Sequence, residues 1–325
     1  MTASVFDLFK QGVGPSSSHT MGPMTAAARF LDLLRAGGLL GHASRVEVKL
    51  YASLALTGRG HATDRAVILG LMGFEPASLD PDAGDLALAR AAAEQWLLLG
   101  GEQGIGFDEG RDILWAGRER LPQHPNALTF TAFGADGGEI AARTYYSIGG
   151  GFIRCEGESE PETRLPEFRY KNMAGLIRLT VKYDIPLIEL LMKNESAVTG
   201  LSADEINAKL DHLIALMEDS VNRGIHTEGV LPGPIGLQRK AAAFYKRAVH
   251  MHQDLDRFLA LLNAFSMAVS EENAAGHRII TAPTSGSAGV IPGIIYFLKK
   301  YHEGHSGYKC HSVGFCCQRY MQRSL

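Results

Sequence analysis

Residues 14–23 read GPSSSHTMGP. Three serines, a histidine and a threonine stand between two Gly–Pro pairs, and an Ala/Leu-rich run from Met24 to Leu34 follows at once. That run predicts a helix, so the polar cluster sits at a helix N-terminus. Backbone N–H groups and hydroxyls at such a place face the positive end of the helix dipole and suit a carboxylate or a phosphate. A plain Ser-rich cap is the alternative, since Ser and Thr are favoured N-caps. One hydroxyl is enough for a cap; four beside His19 tilt the choice towards a ligand.

Outward from this stretch the chain alternates in character. Val46, Val48 and Leu50 alternate with Glu47 and Lys49, the period of a half-buried strand. A helix is expected from Asp64 to about Leu71. Leu128, Phe130 and Ala132 alternate again. After the turn Ala135–Gly138, a second strand runs through Ala141 to Ser147, which together predicts a β-hairpin. Gly149, Gly150 and Gly151 close the strand region. Residues 156–168, EGESEPETRLPEF, are polar, hold two prolines and look like a linker. Beyond it the pattern turns helical, with candidates at 185–194, 204–222, 236–249, 252–273 and 288–300. Ser202 followed by Asp204 and Glu205 resembles an N-cap with an acidic first turn. There is no internal repeat. The expected class is α+β: an N-terminal α/β domain over 1–155, a linker over 156–168, an all-α domain over 169–300, and a tail over 301–325.

Composition removes several function classes. The 325 residues are 46% hydrophobic and 21% charged, ordinary for a soluble protein with a sizeable core. A net charge of −3 argues against a nucleic-acid partner, which usually calls for a basic excess. No apolar stretch reaches the roughly 18 residues of a membrane span. The start, MTASVFDLFK, lacks the basic and apolar regions of a secretory signal. Four cysteines make no disulfide framework. A cytoplasmic protein with no membrane contact is expected.

Other short stretches carry polar groups in Gly- or Pro-rich settings. His61 lies in Gly60–Asp64, between a strand and a helix, where functional groups commonly sit. His124 lies in Gln123-His124-Pro125-Asn126, just before a strand. Each alone is open to a structural reading, yet imidazole titrates where proton transfer near neutral pH needs it. The helical half carries Asn222–Ile225 (NRGI), Leu231–Pro234 (LPGP) and Glu271–Gly276 (EENAAG). Thr281–Gly289 (TAPTSGSAG) then opens a helix, either as a second anion site or as a breaker-rich turn.

Taken together, GPSSSHT (14–20), GHATD (60–64), YSIGGGF (146–152), NRGI (222–225) and TAPTSGSAG (281–289) stand in the order seen in bacterial iron–sulfur L-serine dehydratases. From about Ser4 to Leu298 the chain closely resembles that family. The resemblance implies an N-terminal domain similar to one found in some phosphoglycerate dehydrogenases, and a C-terminal helical catalytic domain. It implies conversion of L-serine to pyruvate and ammonia, in amino-acid catabolism and gluconeogenesis, and a possible homodimer. A [4Fe–4S] cluster with one open iron would act on the β-hydroxyl as a Lewis acid. By the same resemblance Ser16, Ser17, Ser18, His19 and Thr20 form the substrate-carboxylate pocket, which Thr284, Ser285, Gly286 and Ser287 close from the other domain. His61 is the candidate α-proton base, His124 a second acid/base with Asn126 beside it, and Lys171 and Asn172 face the site.

The family's chain carries its cluster cysteines beyond the TAPTSGSAG segment. Here the sequence changes after about Leu298, and the tail holds Cys310, Cys316 and Cys317. Two readings stay open: a substitute metal site, or unrelated sequence after a frameshift or premature stop. On the second, the chain is expected to lack the cluster, to be inactive as written, and to leave apolar helix faces uncovered; a non-catalytic amino-acid-binding module is the alternative function. A pyridoxal-phosphate dehydratase is disfavoured, because no lysine sits in an S-x-K-x-R-G-like setting, and no G-x-S-x-G elbow marks a hydrolase.

Overall fold

The computed structural model describes residues 4–158, 164–233 and 235–302. Chain order begins with α1 (Val5–Leu8), β1 (Gln11–Val13), a single π-helical turn (Ser17–Met21) and α2 (Gly22–Ala36). Then come β2 (Arg45–Tyr51), α3 (Ala52–Thr57), α4 (Thr63–Leu71), α5 (Pro81–Glu94), β3 (Trp96–Leu99) and β4 (Gln103–Gly106). The first half ends with α6 (Glu109–Asp112), β5 (Ile113–Ala116), β6 (Ala127–Phe133), β7 (Glu139–Gly149) and β8 (Phe152–Cys155). The second half holds α7 (Met173–Tyr183), α8 (Leu187–Thr199), α9 (Ala203–Gly224), α10 (Ala241–Ala248), α11 (Asp254–Ala274), β9 (Arg278–Ile280) and α12 (Val290–His302). The class is α+β, as the sequence predicts.

The main sheet has the order β5-β2-β6-β7-β8, with β2–β5 parallel and the other pairs antiparallel. The alternation in the sequence decides its faces. Val46, Val48, Leu50, Phe130 and Tyr145 point into one core with Phe30, Leu31 and Leu34 of α2 and Val67 and Leu71 of α4. Phe30 and Phe130 stack with ring centroids 5.3 Å apart. The other face carries polar pairs: Thr129 Oγ1 and Thr144 Oγ1 are 2.8 Å apart between β6 and β7, and Lys49 of β2 bridges to Glu119, in the loop after β5, at 2.7 Å. The expected hairpin is β6–β7, whose turn places Gly137 at φ +78°.

The N-terminal segment does not pack on this sheet. Val5, Leu8 and Phe9 are buried among Leu191 of α8, Ile206 and Leu210 of α9, and Ile295 of α12. Ser4 caps α1, its hydroxyl bonds the buried Glu195 carboxylate, and the Val5 N–H donates to the same group at 3.1 Å. β1 then pairs antiparallel with β9, Gln11 opposite Ile280 and Val13 opposite Arg278. The first residues therefore stitch the two halves together.

In the helical half, α9 begins with the expected cap: the Ser202 hydroxyl and the Glu205 carboxylate satisfy each other's backbone N–H. The helix expected over 236–249 is shorter. Gly236 takes φ +59°, Val230 bridges to Gln238, and the helix starts only at Ala241. Apolar side chains stand exposed on several helices, among them Ile177 and Val181 on α7 and Leu255 and Leu259 on α11. Among the described residues no helix is long and apolar enough to cross a membrane.

Candidate active site

The strand β1 ends at Val13 and the chain turns through Gly14 and Pro15 into the serine run. Ser16 stands extended as the N-cap, and its hydroxyl accepts from the His19 N–H at 3.2 Å. A π-helical turn of Ser17–Met21 follows and leads straight into α2. The expected helix N-terminus is there, preceded by an unusual turn of the kind that often marks functional sites. The start of α2 is clamped hard: a Cβ on Gly22 would fall 2.1 Å from Ser147 Oγ.

Three connections tie this turn to the GHATD segment. Thr20 Oγ1 donates to the His61 carbonyl at 2.7 Å. Thr63 Oγ1 donates to the His19 carbonyl at 2.6 Å. The imidazoles of His19 and His61 face each other with centroids 4.9 Å apart. The His61 ring is held by Nδ1 donating to the Thr57 carbonyl at 2.8 Å. A carbonyl only accepts, so neutral His61 keeps its proton on Nδ1 and leaves the Nε2 lone pair available. His19 lies between hydroxyls, Nδ1 2.9 Å from Ser18 Oγ and Nε2 3.1 Å from Ser53 Oγ. Burial first, and His61 second, lower the pKa of His19 below its ordinary value, so its ring is neutral near pH 7.

Ser147 extends the cluster to the third histidine. Its hydroxyl donates to the Ser18 carbonyl at 2.7 Å, and its N–H to the Asn126 carbonyl at 2.8 Å. The Asn126 N–H donates to His124 Nδ1 at 3.1 Å. A ring nitrogen that accepts there carries no proton, so neutral His124 presents Nε2–H, the opposite tautomer to His61. Burial, then Arg120, lower the pKa of His124. Ser147 lies within the YSIGGGF stretch, whereas no local sequence signal marks Ser53.

Hydrogen bonds among the described residues do not bring every candidate together. Asn172 caps α7, its side chain accepting from the Gly175 N–H at 2.9 Å, and exposed Lys171 stands beside it. No such bond links either to the serine loop. Thr284 Oγ1 and Ser287 Oγ lie 2.9 Å apart, and Ser287 Oγ donates to the Ala282 carbonyl at 2.7 Å. Gly286 lies between them, and the buried Ser285 hydroxyl has no partner among the described residues. Because β1 and β9 are antiparallel, the two small-residue loops leave the ladder at opposite ends. The helical-half residues that bond Gly14 and Pro15 are His277 and Asn273.

An iron–sulfur cluster needs several thiolates. Among the described residues the free thiol is Cys155, on β8 against the sheet core, and no group of three or more His, Cys, Asp or Glu is placed to hold a metal. These residues do not fit the cluster. Cys310, Cys316 and Cys317 lie outside the described residues.

The fold and the site define an α+β protein whose serine–histidine loop is assembled across two halves. Residues 4–158 match the family model of the serine dehydratase beta chain, and residues 182–313 that of the serine dehydratase alpha chain. The chain is 37% identical over 305 residues to an L-serine dehydratase of Haemophilus influenzae, covering 92% of this chain and 66% of that protein. Identity to L-serine dehydratase TdcG of Escherichia coli is 38%, with 92% and 66% covered. For an L-serine dehydratase of Streptomyces coelicolor it is 36%, with 94% and 68% covered. The chain thus spans about two thirds of the length of these relatives. It belongs to the bacterial L-serine dehydratase family.

Proposed function

We propose that the chain acts on L-serine as an ammonia-lyase, eliminating water to give aminoacrylate, which tautomerises to the imine and is hydrolysed by water to pyruvate and ammonia. The observation that carries this is the pair His19–His61, ring centroids 4.9 Å apart, with His61 and His124 in opposite tautomers on segments that each bond to the serine turn or to its partner Ser147. The serine α-hydrogen is weakly acidic, and the task calls for a base and an acid held apart. His61 Nε2 takes the α-proton. His124, oriented by Asn126, donates a hydrogen bond from Nε2–H to the departing hydroxyl, which leaves as water on receiving the proton that His61 took from the α-carbon. Ser16, Ser17, Ser18 and Thr20 hold the carboxylate at the turn's N–H groups, and His19 orders the Ser18 hydroxyl. Thr284, Ser285, Gly286 and Ser287 close over the ligand, with Lys171 and Asn172 at its margin.

The [4Fe–4S] cluster that the family resemblance implies has no donor set among the described residues, and none of these steps is routed through it. Pyridoxal phosphate has no part. We also place the protein in the cytoplasm as a homodimer, in serine catabolism feeding gluconeogenesis through pyruvate.

The test is anaerobic incubation of the chain with L-serine, after exposure to iron and sulfide, with pyruvate and ammonia measured together. Equimolar products are expected. His61→Gln should lower turnover by roughly 100-fold or more, the worth of a positioned base, while serine affinity stays within about threefold. Serine binding by calorimetry with no pyruvate would select the amino-acid-binding module instead.

A further inference from the structure

The proposed chemistry leaves several buried carboxylates unused, among them Asp112, Glu195, Glu271 and Glu272. Glu272, near the end of α11, is 1% exposed. Arg239 Nη1 donates to its Oε1 at 2.6 Å, and His277 Nδ1 to its Oε2 at 2.6 Å. Arg223 Nε, from the NRGI stretch, stands 3.8 Å from Oε2. Burial alone would raise the Glu272 carboxyl, but the bonds from His277 and Arg239 outweigh it and leave its pKa below the usual carboxylate range. An ionised carboxylate only accepts, so His277 carries its proton on Nδ1.

The turn anchored by this network is the one that meets the serine loop. The Gly14 N–H donates to the His277 carbonyl at 3.2 Å, and Asn273 Nδ2 donates to the Pro15 carbonyl at 3.2 Å. A Cβ on Gly14 would lie 1.9 Å from the Asn273 carbonyl oxygen, so the backbones touch directly. The His277 N–H closes the turn on the Glu272 carbonyl at 3.0 Å. Gly14, Pro15 and Thr20 share with Gly276 and His277 a cavity of about 340 Å³ between the halves. Asn273 Oδ1, buried here, has no partner among the described residues.

We propose that Glu272 is a positioning residue for the Gly14–Thr20 loop: by fixing the 273–277 turn from the helical half, it sets where the loop leaves β1 and hence where the hydroxyls and His19 stand. Its importance for the reaction rests on the serine-site reading of that loop. Both NRGI and EENAAG then have work that the proton-transfer groups do not give them.

The experiment compares backbone amide exchange and serine calorimetry in the full chain, in Glu272→Gln and in Asn273→Ala. Glu272→Gln should speed exchange of amides 14–21 at least tenfold and weaken serine binding by a similar factor, with the amides of β2, β6 and β7 unchanged. Asn273→Ala leaves the buried charges in place and should give the same selective effect in smaller size. Glu272→Asp, which keeps the charge, should restore part of the protection. Unchanged exchange at 14–21 in folded Glu272→Gln overturns the proposal, as does acceleration spread evenly over both halves. Should Glu272→Gln fail to fold, the Asn273→Ala result decides, and native exchange at 14–21 there overturns it. Exchange is read without ligand, so absence of serine binding in the unaltered chain would strike the serine-site reading alone.

Discussion

Lys10 shows how a single half-buried charge reports on its surroundings. Its Nζ lies 2.8 Å from the centre of the Phe152 ring, and its backbone N–H donates to Thr281 Oγ1 at 3.0 Å. Burial brings its pKa down from 10.5 to about 8, with Asp7 opposing. Between those two values the unfolded chain still holds the proton and the folded chain has lost it, so stability should rise with pH across that window. Lys10→Met should abolish the rise and leave the chain more stable at pH 7; urea unfolding at pH 7, 8 and 10 checks this. At this scale the serine run, His19 and His61 were legible because polar side chains in a Gly/Pro frame stand out from an apolar background. Ser53 was not, because its role depends on Tyr51–Ala52 turning the strand end towards residue 19. Asn172 carries a local signal of its own, a polar side chain before an apolar run, and it caps α7 by accepting from the Gly175 N–H.

Among the elements, the strands with clean alternation were the readable ones. Val46–Leu50 and Leu128–Ala132 each bury one face only, so a period of two appears in the sequence and fixes which side meets α2. Phe130→Ala would open that contact against Phe30 and should cost about 3–5 kcal/mol, measured by chemical unfolding. β1 and β9 were invisible for the opposite reason: each has three residues and exists only because the other lies beside it. The helix over 81–94 left a local trace, Asp80 before Pro81, which is a cap followed by a residue suited to the first turn. The helix within 236–249 starts later than its apolar content suggests, at Ala241, because the left-handed Gly236 is hard to tell from the other loop glycines.

Over the whole molecule, the division into halves hides an exchange of material, since Val5, Leu8 and Phe9 complete the core of the helical half. Each such side chain contributes about 1.5–3 kcal/mol when fully buried. A chain beginning at Lys10 should therefore lose protection in α8 and α9 by tenfold or more in amide exchange, with β2, β6 and β7 unaffected. The buried Glu272 network also gives the molecule an acid limit. A carboxyl held below its ordinary value of 4.5 stabilises the fold above that value and ceases to do so as pH falls through the lowered one. Thermal unfolding from pH 6 downward should show this loss, and Glu272→Gln, less stable at pH 6, should show a flatter decline.

The ladder between β1 and β9 also bears on how the protein is made. Thr281 Oγ1 donates to the Leu8 carbonyl across 273 positions of sequence. Domains generally begin folding from the N-terminus during synthesis, and pairings this distant wait for loop closure. On a ribosome the β2–β6–β7 sheet has its own core in hand early. The serine run does not: its supports, Asn273 and His277, are among the later residues to emerge. A nascent chain stalled before residue 270 would thus carry the complete serine–histidine motif and still have no formed place to hold an amino acid.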